Sequence, residues 1–234
     1  MSEQPVQDAD VAYTDPRVTE AIVRYLVTEH RLASARTIWE PFAGSGTFVT
    51  PILNQTPAMV LCHELDPAAP IHTSPMVDQK RCWAVLGSAW ERDRPVEWAV
   101  TNPPFSLLDE TIKLLSQRCS AGFALLMIGQ ALTPGGRDWI WDSCRPLETI
   151  RLTPRCAFAR PRAEAKIKDA VAKVTAMTAA GASVPTDLLN LSKKKYNPKA
   201  TDMREYSVAV WQPPFHSPTV RDRRLNWKSG QVWG

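Results

Sequence analysis

Long hydrophobic runs are missing from this sequence. No apolar stretch approaches the roughly eighteen residues that a membrane-crossing helix needs, so an α-helical integral membrane protein is excluded. Met1 to Asp10 has neither the basic start nor the apolar stretch of a secretory leader, and the expectation is a soluble, intracellular (cytoplasmic) chain. Ordered metal ligands are missing too. The five cysteines (Cys62, Cys82, Cys119, Cys144 and Cys156) are odd in number and widely spaced, with no Cys-x-x-Cys pair and no histidines ordered nearby. They read as reduced, mostly buried thiols, with no metal site expected. The one Gly-x-Gly, Gly44-Ser45-Gly46, lacks the third glycine of a dinucleotide fingerprint and the lysine of a phosphate-binding loop, so neither ligand is supported.

What is present starts with length. At 234 residues and 44% hydrophobic content, the chain can bury one good core but not a second full domain, so one domain with an insertion is expected. The formal charge of +4 is unevenly spread. Residues 1–150 carry 12 basic and 18 acidic side chains, residues 151–204 carry 12 and 4, and the remainder carries 4 and 2. A mildly acidic body joined to a strongly basic segment suggests that the segment meets a polyanion, although most charge runs are simply solvated helix faces.

Two short stretches carry chemistry. Arg36 to Glu40 reads as a strand and Thr47 to Leu53 as the opening of a helix. Between them, Pro41-Phe42-Ala43-Gly44-Ser45-Gly46 forms a turn whose glycines allow unusual dihedrals and close approach by a ligand. The second stretch, Asn102-Pro103-Pro104-Phe105, follows a buried strand, Glu97 to Thr101. Its two prolines forbid helix and ladder alike, so the backbone leaves the sheet stiffly. The Asn102 amide oxygen and the Pro103 carbonyl are two acceptors that could hold the hydrogens of a planar amino group, and Phe105 offers a flat face for stacking. The plain alternative is a strand-ending turn, which Asn-Pro commonly opens.

Together these stretches resemble the S-adenosylmethionine-dependent amino-methyltransferases of nucleic acids, over about Tyr13 to Pro213. Glu40-Pro41-Phe42-Ala43-Gly44-Ser45-Gly46-Thr47 is similar to that family's cofactor loop, and Asn102-Pro103-Pro104-Phe105 to its catalytic tetrapeptide, known from adenine-N6 and cytosine-N4 enzymes. The resemblance implies an α/β, Rossmann-like class I methyltransferase fold: a doubly wound seven-stranded sheet with its last strand antiparallel, plus a basic insertion. It also implies S-adenosylmethionine as cofactor and DNA as partner, with RNA as the alternative; a monomer and a homodimer both stay open.

The family's roles carry over residue by residue. Asn102, Pro103, Pro104 and Phe105 would be catalytic. Tyr13 and Thr14 would lie at the methionine end of the cofactor, Glu40 would meet its ammonium, and Phe42, Ala43, Gly44 and Gly46 would form its cradle, with Asn102 alongside. Glu64, some twenty positions after the glycines, would hold the ribose diol, with Asp66 as runner-up. Ser88 stands where the family often has Asp beside the adenine, and Trp90 could pack on the adenine face. Phe105, Phe158, Arg155, Lys193, Lys194 and Lys195 would meet the substrate.

The rest of the chain supplies context. Asp15 and Pro16 open a helix with Val18, Ala21, Ile22, Tyr25 and Leu26 on one face. Ala58–Cys62, Gly122–Ile128, Glu148–Leu152 and Ser207–Trp211 read as strands, Trp83–Ala89 as a strand and the loop after it, and Leu107–Arg118 and Arg137–Cys144 as helices. The basic segment carries a helix with Ile167, Val171, Val174 and Met177 as its apolar face, ended by Gly181. The expected division is a loose N-terminus over 1–10, a core over 11–152, a basic target-recognition insertion over 153–205, and the last strand and tail over 206–234. The function read from these residues is site-specific adenine-N6 methylation of DNA. Cytosine-N4 and RNA-base methylation are the alternatives, and a non-catalytic module binding S-adenosylmethionine and DNA is the alternative of another class.

Overall fold

Short buried strands alternating with amphipathic helices build an open sheet with a helical layer on each face. The computed structural model describes residues 13–77, 81–133, 135–156, 158–159, 161–194 and 204–234. The N-terminus expected to be loose, 1–10, and Lys195 lie outside the described residues.

The chain starts with β1 (Tyr13–Thr14) and α1 (Pro16–His30). Asp15 Oδ1 accepts from the Arg17 N–H at 2.9 Å, Pro16 occupies the first turn, and all five residues of the predicted apolar face are buried. Next come β2 (Thr37–Glu40), α2 (Val49–Gln55), β3 (Met59–Glu64), β4 (Cys82–Leu86) and β5 (Val96–Thr101). Pro51 falls in the first turn of α2, where its missing N–H costs no helical hydrogen bond. Then follow α3 (Leu108–Arg118), β6 (Cys119–Ile128), α4 (Asp138–Ser143) and β7 (Glu148–Thr153). After β8 (Phe158–Ala159), a helical hairpin of α5 (Pro161–Ala179) and α6 (Thr186–Ser192) leads to β9 (Tyr206–Trp211).

The seven strands expected from the sequence are all present, and they pair in the order β4-β3-β2-β5-β6-β9-β7, with β9 antiparallel to both neighbours as the resemblance implies. The sheet is nevertheless wider than the expected seven. Beyond β7 lie β10 (Arg221–Asn226), parallel to it, and β11 (Val232–Trp233), antiparallel to β10. Arg221-Asp222-Arg223-Arg224-Leu225-Asn226 holds a single apolar residue, so it shows no period-2 pattern. Leu225 and the following Trp227 nonetheless bury to 2% and 6% exposure against the same core as Ile150 and Leu152.

The two faces have separate cores. Val18, Ile22, Leu26 and Ile52 cover Ile38, Val60, Val208 and Val210 on one side. On the other, Leu108, Ile112, Leu115 and Ile140 cover Trp39, Ala99, Phe123 and Trp211, whose Phe123–Trp211 rings stack at 4.8 Å. All five cysteines are free and buried. Trp39 Nε1 donates to His63 Nδ1 at 2.9 Å, and burial lowers the His63 pKa to about 4, so this histidine is a neutral structural acceptor at neutral pH.

In the insertion, the expected apolar face is rotated. Val171 is 45% exposed and Ala170 is buried in its place, with Ile167, Val174 and Met177 half-buried. Gly181, at φ 67°, ends the turn as predicted. Lys168 and Lys173 pair with Glu164 and Asp169 one turn earlier on α5, at 2.7 and 2.8 Å.

The topology positions the site. β2 and β5 are hydrogen-bonded neighbours, with β3 and β4 on one side and β6 on the other. Chain order therefore reverses between them, and the crevice beyond their carboxyl ends is where doubly wound sheets hold ligands. Both motif loops leave the sheet at those two ends.

Candidate active site

A cleft opens at this switch point, lined by Tyr13, Thr14, Glu40, Phe42, Ala43, Gly44 and Asn102, together with Ser45, Thr47 and Phe48. The first seven of these are among the ten residues that the resemblance assigns to the cofactor; Gly46, Glu64 and Ser88 are not part of the lining. Ser45 and Thr47 lie within the loop already likened to the cofactor loop, without a role of their own, and Phe48, just before the helix start, is the addition of the structure.

The loop is held from below. Ala43 N–H donates to the His63 carbonyl at 3.0 Å, and Gly44 N–H to Glu64 Oε2 at 2.7 Å. The other Glu64 oxygen accepts from the Asp66 N–H at 2.9 Å. Gly44 has φ 52°, and a Cβ there would stand 3.1 Å from the Tyr13 ring, so the loop needs glycine for its backbone and for its clearance. Gly46, at φ 77°, needs glycine for its backbone as well, and a Cβ there would meet Ile71 Cδ1 at 2.8 Å. Ser88 stands outside the cleft lining and caps a short turn, accepting from the Trp90 N–H at 3.3 Å. Trp90 itself packs edge-on against Phe42 at 5.6 Å.

Glu40 is 2% exposed at the end of β2. Its Oε1 accepts from the Phe42 N–H at 3.2 Å, too little to offset its desolvation. Burial pushes the carboxyl well above the usual carboxylate range, and the nearby Glu64 charge adds to the effect. Such a group favours a cation that would share its charge.

Across the cleft, Asn102 Nδ2 donates to Thr14 Oγ1 at 3.3 Å. With the NH₂ group so engaged, Oδ1 is the free end of the amide, buried and without a hydrogen-bond partner among the described residues. A buried acceptor in that condition costs about 1–3 kcal/mol and is a ready receptor for a donor hydrogen. Pro103 is buried and Pro104 starts a tight turn, its carbonyl accepting from the Leu107 N–H at 2.9 Å.

Thr14 is placed by β1, which pairs antiparallel with β8 so that Thr14 faces Phe158 and Tyr13 faces Ala159. That short ladder brings the start of the insertion beside the tetrapeptide. Phe158, at 7% exposure, packs on Tyr206 at 4.3 Å, and the half-buried Phe105 lies 6.3 Å from the same ring. Arg155, Lys193 and Lys194 are exposed on the insertion, away from the cleft lining. Among the described residues, no cluster of His, Cys, Asp or Glu could hold a metal ion, and no helix is long and apolar enough to cross a membrane.

No protein-family model matches the chain, and no curated protein matches it. Solved structures do. A presumed class I S-adenosylmethionine-dependent methyltransferase of Listeria monocytogenes aligns at a TM-score of 0.58 and 10% identity, over 91% of this chain. This chain spans 65% of that protein's length. A presumed RNA methyltransferase of Pyrococcus horikoshii aligns at 0.54 and 11% identity, over 82% of this chain and 81% of its own. The fold is thus the Rossmann-like methyltransferase fold, with the anticipated antiparallel strand inside the sheet and two additional strands at its edge.

Proposed function

We propose that the chain is a methyltransferase acting on an exocyclic amino group in nucleic acid, with S-adenosylmethionine as donor and adenine N6 in DNA as the target. The observation that carries this reading is the Asn102 amide. Thr14 holds its NH₂ end, and a buried, unpartnered oxygen stands at the end of β5 beside the glycine loop.

The residues present fit the donor. Glu40 would take its ammonium, which relieves a carboxylate that burial disfavours, and the Ser45 N–H would meet its carboxylate, since the Ala43, Gly44 and Gly46 N–H groups already donate within the protein. Tyr13 and Thr14 would flank the methionine end. Glu64 already accepts two backbone N–H groups and keeps capacity for ribose hydroxyls. When bound, S-adenosylmethionine supplies an electrophilic sulfonium methyl group. Asn102 Oδ1 and the Pro103 carbonyl would accept the two hydrogens of the target amine, which draws its nitrogen toward tetrahedral geometry and frees a lone pair otherwise delocalised into the ring. Phe105 would offset the roughly few kcal/mol needed to take a base out of a duplex.

Tritiated methyl transfer to unmethylated duplex DNA, single-stranded DNA and RNA, followed by nucleoside analysis, tests the reading. Label on N6-methyladenine in DNA is expected. Label on RNA alone would move the assignment to an RNA base, and label on N4-methylcytosine would move it to the other amine. No transfer despite donor binding would leave a non-catalytic module.

Glu40→Gln separates binding from stability. The folded-state pKa of Glu40 is raised, so its ionisation opposes folding increasingly as pH climbs from about 4.5 through the raised value. Without donor, the Gln variant should melt at or above the wild-type temperature at pH 8, and the difference should vanish near pH 4. Donor affinity should drop roughly 10- to 100-fold, in line with ~1.5–3 kcal/mol for a hydrogen bond to a charged group. Calorimetric titration with donor bound as tightly as by wild type would remove Glu40 from the binding role.

Replacing Lys193, Lys194 and Lys195 by Ala should flatten the dependence of log affinity for duplex on log salt by about 0.9 for each phosphate no longer neutralised. An unchanged slope would place the helical hairpin outside the interface.

A further inference from the structure

The face of the sheet that carries α3 and α4 is covered only as far as β9, where Ala209 and Trp211 join their core. Past β9 it lies open across β7, β10 and β11. One cross-strand row crosses this opening. Ser207 faces Arg151, Arg151 faces Arg224, and Arg224 faces Trp233. Directly opposed residues on neighbouring strands project to the same side with Cβ atoms about 5 Å apart.

Such a row is locally unfavourable. Two arginines face each other, and like charges in that position destabilise a sheet. Asp222 gives partial relief to Arg151 at a loose 4.0 Å, with 69% of its side chain exposed. Arg224 is exposed and has no carboxylate partner among the described residues. Trp233 ends the row at 42% exposure. Local conflicts of this kind tend to sit at functional surfaces. An anion between the guanidinium groups would resolve this one, and a planar group on the indole would cover the exposed ring.

We propose that this row is a docking surface for single-stranded DNA flanking the target base, with Arg151 and Arg224 taking phosphates and Trp233 stacking one unpaired base. Charge complementarity selects the phosphate backbone, and an exposed aromatic beside cations on an open sheet face suits an unpaired strand better than a duplex, whose bases present only their edges. The placement fits the cleft. Arg151 lies two residues before the end of β7, from which the chain runs through Pro154 and Arg155 to β8, the partner of Tyr13 and Thr14. This inference rests on the nucleic-acid reading of the cleft and extends the contact surface to strands that no motif marked.

The test is fluorescence anisotropy of a labelled single strand of about 16 nucleotides, and of the same sequence as duplex, against the full-length protein at salt from about 50 to 200 mM. For the Arg151→Gln, Arg224→Gln double variant, the single-strand salt slope should flatten by about 1.4, from about 0.7 for each of two phosphates no longer neutralised. Trp233→Ala should weaken single-strand binding about 5- to 100-fold and leave the slope unchanged. Melting temperatures should equal wild type or, for the double arginine variant, slightly exceed it, since all three side chains are exposed and that variant removes two facing like charges. Wild-type affinity and slope in every variant would overturn the docking surface while leaving the methyltransferase reading intact, provided that the hairpin-lysine variant and the transfer assay still behave as expected. Duplex binding without single-strand binding would overturn the choice of ligand. Binding of neither by wild type would overturn both readings.

Discussion

Asn102→Ala is expected to cut methyl transfer by on the order of 10²–10³-fold, the cost of deleting one preorganised polar contact at a reacting centre. Donor affinity should stay within about threefold, because the contacts proposed for the donor belong to other residues. The basis is positional. Asn102 caps the stiff end of β5, Thr14 engages its Nδ2 at 3.3 Å, and its Oδ1 is left buried with nothing to accept. Thr14→Val should release the amide and lower kcat by a smaller factor, and Thr14→Ser should restore much of it. Equal loss of donor binding and transfer in Asn102→Ala would show that the side chain mainly holds the donor. Undiminished transfer would require the amine to be held elsewhere.

The second large effect lies at the opposite end of the sheet. Glu148, fully buried at the amino end of β7, accepts from Tyr25 Oη at 2.9 Å and from His30 Nε2 at 2.6 Å, both on α1. The Arg221 and Arg223 guanidinium groups of β10 stand 3.5 and 3.4 Å from its other oxygen. Glu148→Ala should destabilise the protein by about 3–5 kcal/mol, as expected when one partner of a buried charged network is removed. At about 2–4 °C per kcal/mol for a chain of this size, the melting temperature should fall by about 10 °C. Arg36→Ala, which breaks the exposed 2.7 Å pair with Glu97, should cost under about 1 kcal/mol and serves as the control. Equal shifts in the two variants would mean that the buried network adds nothing beyond a surface pair.

The pH dependence has a definite sign. Burial alone would raise the Glu148 pKa, but the His30 and Tyr25 hydrogen bonds and the neighbouring positive charge outweigh it and leave the carboxyl below its ordinary value. A depressed folded-state pKa contributes stability that is fully present above the unfolded value and lost as pH falls through the folded one. Wild type should therefore lose stability on acidification more steeply than the Glu148→Ala variant.

Legibility in the sequence followed the physics of each element. α1, the glycine loop and the tetrapeptide could be read because Asp15-Pro16, Gly44 and Pro103-Pro104 each dictate backbone geometry on their own. The switch point followed from the alternation of strands and helices. β10 could not be read, because a strand written Arg-Asp-Arg-Arg-Leu-Asn is stabilised by a buried carboxylate 73 positions earlier and shows no periodicity of its own. β1 and β8, two residues each, are too short to leave a pattern, yet their pairing sets Thr14 against Asn102. Gly46 was legible as a backbone requirement, which its φ of 77° meets, whereas Ser88 was placed by analogy of position and caps a short turn here.

The placement of β10 also bears on the order of events during synthesis. Glu148 emerges from the ribosome long before Arg221 and Arg223, so a nascent chain that has already formed β7 carries a carboxyl in apolar surroundings with only α1 to answer it. Pairing of β10 must wait for translation to pass residue 226, and until then the outer side of β7 is an uncovered edge to which another nascent chain could bind.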